Sequence, residues 1–342
     1  MMKKYLLIPA ALLLLAACSN DTDVKTESPT IKEALVPIRL GTQMNVITRS
    51  NSQTIQTGDP NATPAVPGYL TDGKKVGVYI YYAGYKESQT MGTGNYGYKN
   101  LEYTVNGAAG AMNYPTGNQP YCPESKTQNI DIYAFSPRVY TGTDELKDQT
   151  AVSFNTQQDQ TSEDNYIASD FVWGSKTGVT NAQAASTINV PLDHKCSKIN
   201  VNIAGGTGVA LSSLLGASIT LADVNHAGSI NLTTGAVSEA STSSANTLTF
   251  TTATTAPTGK FASDNTIDCY TASAVIIPQT ITAKDLTITL AGGTTTYKYS
   301  LTKTFAAGTA YNFDITVNAA GLTLTTSLSD WTGGDIVTGS AE

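Results

Sequence analysis

Charged residues and histidines are scarce in this chain of 342 residues. Asp, Glu, Lys and Arg together make up 14% of the sequence, where about a quarter is usual. The net charge is −7, and no basic stripe is present that could neutralise phosphates, which excludes a nucleic-acid-binding protein. His194 and His226 are the only histidines, so a histidine-based triad is poorly supported, and no pair of carboxylates stands out. We therefore predict no catalytic residues and no enzymatic activity.

Cysteine is rare as well. Beyond Cys18 the sequence contains Cys122, Cys196 and Cys269, an odd number whose wide spacing matches no zinc-binding pattern. We expect buried, mostly reduced thiols and no metal site. The stretch "GTGNYG" at 92–97 has the form G-x-G-x-x-G, but the strand-like "YKNLEYTVN" follows where a dinucleotide site needs a helix. We interpret these glycines as part of a loop and predict no cofactor.

The apolar run near the N-terminus is too short to span a membrane as a helix. It covers residues 5–17, whereas a spanning helix needs about 20 residues. Two lysines precede it and small residues end it, as in a secretory signal peptide. The sequence "LAAC" at 15–18 resembles the lipobox of bacterial lipoproteins. This resemblance implies cleavage between Ala17 and Cys18 and lipidation of Cys18.

A lipid on Cys18 would anchor the chain to a membrane. Residues 1–17 are then a lipoprotein signal peptide, and residues 18–33, which are polar and without period, are a tether. Asp21 and Asp23 resemble the surface-export signal of some Gram-negative lipoproteins. We therefore expect an outer-membrane protein that faces the cell surface.

Alternation of apolar and polar residues is the strongest local signal in the rest of the chain. Thr, Ser, Asn and Gly dominate, which is typical of an extracellular β-protein. The first predicted strand is Val36–Ile47, half-buried, with Thr42 as the one interruption of its apolar face. The apolar residues of that face are Val36, Ile38, Leu40, Met44 and Val46.

Further short strands are predicted around 76–82, 101–105 and 130–132, and hairpins at 286–301 and 311–324. No long segment has a helical period. Short strands separated by turn signals predict an all-β protein built of β-sandwiches.

A polar stretch at 181–186 divides the chain. We predict an N-terminal β-sandwich domain at 34–184 and a C-terminal β-sandwich domain at 185–342. His194 shares the apolar parity of its strand, so we expect it to face the core. Between Cys196 and Ile199 the apolar parity slips by one, which we interpret as a β-bulge.

Seven stretches, each unspecific alone, occur in a characteristic order and spacing. They are "DIYAFSPRV" at 131–139, "SDFVWGS" at 169–175, "VPLDHKCSKINVNI" at 190–203, "GSINLTTGAV" at 228–237, "AVIIPQTITAKDLTITL" at 274–290, "FAAGTAYNFDITV" at 305–317 and "LSDWTGG" at 328–334. Taken together, the chain resembles the fimbrillin-like family, the lipoprotein-borne pilins and associated adhesins of type V pili.

The resemblance implies two tandem transthyretin-like β-sandwich domains in a cell-surface fimbrium used for adhesion. It also implies donor-strand exchange among pilus subunits: a trypsin-like protease cuts after an arginine, the first strand leaves, and another subunit's strand fills the groove. In this sequence the cut would fall between Arg49 and Ser50, and Val36–Ile47 would leave. The donor would come from the C-terminal strands, around 322–328 or 335–338.

An alternative hypothesis is a monomeric surface lipoprotein that binds glycans. Tyr79, Tyr81, Tyr96 and Tyr98 could stack on sugar rings, although we favour their packing on a sheet face. The adhesive ligand, and whether the subunit belongs to the shaft, tip or anchor, do not follow from the sequence.

Overall fold

A computed structural model describes residues 36–44, 55–56, 69–83, 97–106, 110–139, 146–240, 245–252, 257, 259–293, 295–330 and 337–339. Nearly all regular structure in these residues is β-strand, which confirms the predicted all-β class. The strands that precede residue 195 are β1 (Arg39–Met44), β2 (Ile55–Gln56), β3 (Tyr69–Leu70), β4 (Lys75–Tyr82), β5 (Gly97–Val105), β6 (Ala111–Asn113), β7 (Ile130–Ser136), β8 (Val152–Asn155), β9 (Val172–Val179) and β10 (Thr187–His194).

The strands that follow residue 195 are β11 (Ser197–Gly205), β12 (Ser218–Asn225), β13 (Ala227–Ile230), β14 (Val237–Glu239), β15 (Ala245–Thr251), β16 (Gly259–Lys260), β17 (Asp268–Ile276), β18 (Gln279–Thr289), β19 (Thr296–Phe305), β20 (Thr309–Asn318), β21 (Gly321–Asp330) and β22 (Val337–Gly339).

The helices are short connectors. They are α1 (Glu163–Ala168), α2 (Asn181–Ala184) and the 3₁₀ helices Leu146–Asp148 and Leu211–Leu214. Side chains cap both α-helices: Ser162 Oγ accepts from Asn165 N at the start of α1, and Thr180 with Gln183 forms a capping box at α2.

Seven of the described strands form a closed barrel in the order β1-β10-β9-β7-β4-β5-β6, and β6 pairs back onto β1. The β1–β10 pair is parallel, and the other neighbours are antiparallel. The N-terminal half therefore differs from the predicted two-sheet sandwich. The physical reason is that the three-residue β6 bridges β5 and β1, so the sheet closes on itself.

The C-terminal half is a sandwich, as predicted for this part of the chain. A six-stranded sheet in the order β16-β17-β11-β20-β21-β22 packs on a four-stranded sheet in the order β15-β12-β18-β19. Side chains from both sheets fill one apolar core, including Val201, Ile219, Leu286 and Phe313. Both predicted hairpins are present, as β18–β19 and β20–β21.

A third apolar cluster contains residues of both halves. Tyr79, Phe135 and Trp173 of the barrel strands pack in it with Ile230 and Val275. Trp173 Nε1 donates to Leu232 O at 2.8 Å, which adds a buried hydrogen bond to this packing. The barrel and the sandwich thus share an aromatic-rich core.

The chain passes from the barrel to the sandwich between β10 and β11. The prediction that the C-terminal domain starts at residue 185 assigned β10 to that domain, but β10 pairs with β1 and β9 of the barrel. The parity slip between Cys196 and Ile199 is the junction of these two strands and not a bulge within one strand. A local sequence pattern shows that the parity changes, but it does not show which sheet the residues before and after the change belong to.

Candidate functional site

β1 is the strand that closes the barrel. It pairs in parallel with β10 through all six of its residues, and antiparallel with β6 through Leu40 and Gly41. Without β1, the barrel would be open between β10 and β6, and both strands would present unpaired backbone groups. The site is therefore a slot for one strand.

The inward side chains of this slot are buried almost completely. The exposed fraction is 0% for Ile38, 1% for Leu40, 2% for Thr42 and 1% for Met44. The three apolar side chains belong to the barrel core, and half-buried Val36 packs against its edge. Successive side chains of a strand point to opposite faces, which explains why this set alternates with Arg39, Gly41 and Gln43.

Backbone hydrogen bonds extend the pairing to the residues before β1. Ile38 N donates to Pro120 O at 2.9 Å, and Cys122 N donates to Val36 O at 2.9 Å. Gln119 Nε2 also donates to Ile38 O at 3.2 Å. The segment at 119–122 thus holds the start of the first strand where β6 no longer reaches it.

Thr42 is the polar member of the inward set. Its Oγ1 donates to Gly110 O at 3.3 Å and accepts from Leu70 N at 3.2 Å. Leu70 is 0% exposed and Gly110 is buried, so the hydroxyl satisfies backbone groups away from water. In the sequence Thr42 reads only as an interruption of the apolar face, and this role was not predicted. Its parity with Ile38 and Leu40 was the available signal.

The remaining predicted site residues lie outside the described residues. These are the signal-cleavage and lipidation residues Ala17 and Cys18, the processing residues Arg49 and Ser50, and Val46 of the first strand. The structure places Val36, Ile38, Leu40 and Met44 together in the slot.

A buried polar pair lies at the junction of barrel and sandwich. His194 Nδ1 and Asp170 Oδ1 are 2.9 Å apart, and both side chains are buried. His194 therefore faces inward, as predicted. Burial lowers the pKa of nearby Lys198 to about 8, and the charge of Asp170 opposes part of that effect. The buried hydrogen bond between His194 and Asp170 helps to hold β10 and β11 in place.

His226 is buried between β12 and β13. Its Nδ1 is 3.2 Å from Thr156 Oγ1, and burial lowers its pKa. Cys122, Cys196 and Cys269 are buried and free, as expected. Burial raises the pKa of the Cys269 thiol to about 11, so the reactive thiolate is disfavoured.

The tyrosines of the glycan hypothesis are mostly core residues. Tyr79 is 0% and Tyr81 1% exposed, and their rings stack with centroids 6.3 Å apart. Tyr98 is half-buried and its Oη accepts from Tyr121 N at 2.9 Å. Tyr96 lies outside the described residues. The packing interpretation is thus confirmed for Tyr79 and Tyr81.

Two other kinds of feature are absent from the described part of the chain. It contains no group of three or more His, Cys, Asp or Glu side chains that could hold a metal ion. Among its helices, none has the length and apolar character needed to cross a membrane.

Comparisons with known proteins agree on one family. The sequence model of the fimbrillin-like family matches residues 61–331. Fim1C, a proposed fimbrium subunit of Bacteroides uniformis, is 26% identical over 344 residues, which cover 98% of this chain and 97% of that protein.

Two solved structures share the fold. A proposed cell adhesion protein from Bacteroides ovatus is 19% identical with a TM-score of 0.62, over 89% of this chain and 100% of that one. Another from Bacteroides uniformis is 18% identical with a TM-score of 0.59, over 86% of this chain and 99% of that one. The family match extends over most of the sequence, from residue 61, ahead of β3, to residue 331, just after β21. The chain belongs to the fimbrillin-like family.

Proposed function

We propose that this chain is a cell-surface pilus subunit or pilus-associated adhesin with a structural, non-enzymatic role. Its membership of the fimbrillin-like family and its likeness to Fim1C along nearly the whole chain support this role. The partners are other pilus subunits, and the location is the fimbrium.

The subunit is assembled by donor-strand exchange. A trypsin-like protease cuts between Arg49 and Ser50, β1 leaves the barrel with the residues before it, and a strand of another subunit enters the slot. The observation that carries this proposal is the slot itself: residues 38–44 contribute three core side chains and pair on both sides, and Arg49 follows Met44 by five positions in the sequence.

The energetics explain why a vacated slot would be filled. Full burial of Ile38, Leu40 and Met44 contributes roughly 5–9 kcal/mol, an upper bound because an unfolded chain already buries some apolar surface. A typical domain is stable by about 5–15 kcal/mol in total. Removing β1 therefore leaves a barrel that gains much of its stability back from any strand that fits, by β-augmentation.

The precursor is held at the outer membrane by a lipid on Cys18, after removal of residues 1–17. The cut at Arg49 would then separate the folded subunit from its lipid, because Cys18 stays with the removed segment. Processing would release the subunit and open its slot in one step.

Digestion of the purified chain with a trypsin-like protease tests this proposal. We expect a new N-terminus at Ser50, loss of residues 18–49 from the mature chain, and ladders of stable oligomers on gels. Arg49→Ala should abolish the cut and the ladder. Arg39→Ala is the matched control: Arg39 lies within the hydrogen-bonded β1, so its loss should leave both unchanged.

Two results would contradict the proposal. One is efficient cutting at Arg49 that yields only monomers with β1 still bound. The other is an Arg49→Ala variant that forms the same ladder as the unchanged chain.

A further inference from the structure

A cavity of about 180 Å³ lies at one end of the barrel. Its lining includes Lys74, which precedes β4, Ser136, which ends β7, and Asp170, which precedes β9. These three strands are neighbours and run antiparallel, so the start of β4, the end of β7 and the start of β9 meet at the same end of the barrel. The helix α1, which leads to Asp170, forms another wall of the cavity.

The floor of the cavity is buried, and its rim is exposed. Asp170 is 2% and Ser136 is 5% exposed. Pro137 and the α1 residues Asp164 and Ala168 line the cavity as well, and all three are exposed. A small molecule can therefore approach the buried floor from solvent between α1 and Pro137.

Asp170 has one carboxylate oxygen without a hydrogen-bond donor. Its Oδ1 is 2.9 Å from His194 Nδ1, which fixes the orientation of the carboxylate. Its Oδ2 is also buried, and within the described part of the chain no group forms a hydrogen bond with it. A buried carboxylate oxygen without a donor is costly. The floor of the cavity thus favours a ligand that donates a hydrogen bond.

The other polar groups of the cavity include acceptors and one cation. Ser136 Oγ donates to Lys75 O at 2.9 Å, so this oxygen can still accept from a ligand. The carboxylate of Asp164 is a second acidic acceptor, at the rim. Lys74 supplies the cation: burial lowers its pKa, and the charges of Asp164 and Asp170 oppose that effect. A cation and two carboxylates therefore line the same small cavity.

This combination disfavours ligands that carry a single charge. An anion would lie beside the carboxylates of Asp164 and Asp170, and an organic cation would lie beside the ammonium of Lys74. A hydroxyl group both donates and accepts, so a neutral molecule with several hydroxyls suits the carboxylates and the ammonium at once. Ile167 and Pro137 add apolar surface to the lining, on which the C–H groups of a ring can pack.

We propose that this cavity binds one ring of a neutral sugar, either free or at the end of a glycan. The sugar hydroxyls donate to Asp170 Oδ2 and Asp164 and accept from Lys74 Nζ. An engineered cavity of about 150 Å³ holds one benzene ring, so a cavity of about 180 Å³ has room for one six-membered ring. The inference goes beyond the proposed assembly, because the uncut chain already contains the cavity, and it does not involve the core tyrosines.

Titration of the uncut chain with small probes tests the ligand class. The probes are the methyl glycosides of galactose, glucose, mannose and N-acetylglucosamine, followed by NMR. A ligand of about a dozen non-hydrogen atoms with ordinary ligand efficiency has a Kd on the order of 1 mM. We expect at least one glycoside to bind in this range, and methylammonium, acetate and glycine to bind more weakly. Retention of the chain on beads that carry the same sugar at the end of a glycan would identify a terminal sugar as the source, and binding of the free glycoside alone would identify a free one.

Substitutions at the rim and the floor test the location. Ala168→Phe places a ring at the rim and should weaken sugar binding about tenfold or more. Ala182→Phe, at an exposed position of α2, is the matched control and should bind as the unchanged chain does. Asp170→Asn should weaken binding about tenfold, as expected for a hydrogen bond to a charged group. Asp164→Asn and Lys74→Met alter residues that are not fully buried, and each should weaken binding about threefold. Urea midpoints show whether each variant is folded.

Three results would overturn the inference. One is that none of the four glycosides binds, which is the result expected if only water contacts Asp170 Oδ2. Another is sugar binding that Ala168→Phe leaves unchanged, because the sugar would then lie elsewhere on the chain. The third is tighter binding of methylammonium, acetate or glycine than of every glycoside, which would assign the cavity to a charged ligand. Failure of strand exchange would change none of these measurements, since they use the uncut chain.

Discussion

In the barrel every strand has a neighbour on each side, whereas each sheet of the C-terminal sandwich ends in two edge strands. The sandwich core is built from residues at 199–324, a continuous part of the chain. The barrel core instead depends on residues 38–44, which precede its other strands and pair with the last of them, β10. The half without edges is thus the half whose closure depends on one distant segment. The barrel is protected against pairing with another chain only while residues 38–44 are in place. The sandwich has edge strands at all times.

We expect the largest destabilisation specific to the barrel from a substitution at the contact between β9 and β10. A Cβ at Gly174 would collide with the backbone oxygen of Pro191, which cannot move as a flexible side chain would. We expect Gly174→Ala to destabilise the chain by about 3 kcal/mol or more, measured by urea unfolding. Gly259→Ala on β16 of the sandwich is the matched control. Its Cβ would lie 3.2 Å from the Thr271 side chain, so we expect a cost within about 1 kcal/mol. Equal losses of unfolding free energy in the two variants would show that the contact between Gly174 and Pro191 is not rigid.

Truncation of one leucine in each half sharpens the comparison. Leu40→Ala removes a side chain that is 1% exposed, and we expect it to cost about 2–5 kcal/mol. Leu324→Ala removes a half-buried side chain from β21, and we expect about 1 kcal/mol. Urea unfolding of the uncut chain measures both values. A larger loss for Leu324→Ala would show that β21 contributes more to the sandwich than its burial indicates.

The smallest expected effect is a pH dependence caused by His226, which lies between β12 and β13. Burial lowers the pKa of His226 below its ordinary value, so the unfolded chain takes up the proton more readily. Stability is therefore lost as the pH falls from the ordinary value through the folded one, and nothing changes above it. Between pH 7.5 and pH 5 we expect the unchanged chain to lose more stability than His226→Asn. Urea midpoints measured at both pH values test this. Any loss of the Thr156 contact lowers the stability of the variant at both pH values, so it does not alter the difference between them. Identical losses would contradict it.

Local periodicity predicted the parts of this fold that depend on local sequence. The alternation at 36–44, the hairpins β18–β19 and β20–β21, and the inward parity of His194 are all present. Closure of the barrel was not predictable in this way, because it requires β6 to pair with β1 and β1 with β10 across long sequence separations.

The role of Thr42 was hidden for a related reason. Its two hydrogen-bond partners are Leu70 on β3 and Gly110, the residue before β6, and both are distant in sequence. The role of a polar residue on an apolar face does not follow from the sequence until its hydrogen-bond partners are known. The short helices α1 and α2 were not predicted, because neither is long enough to show a helical period.

The location of the slot in the barrel has a consequence for the geometry of a filament. The slot lies in the barrel, whereas the donor expected at 322–328 lies on β21 of the sandwich, so the two contact surfaces would be different patches of one molecule. Joining them under the proposed exchange is a heterologous contact, which repeats without closing into a symmetric pair. Each added copy would then point the same way as the last, and the filament would have two unlike ends.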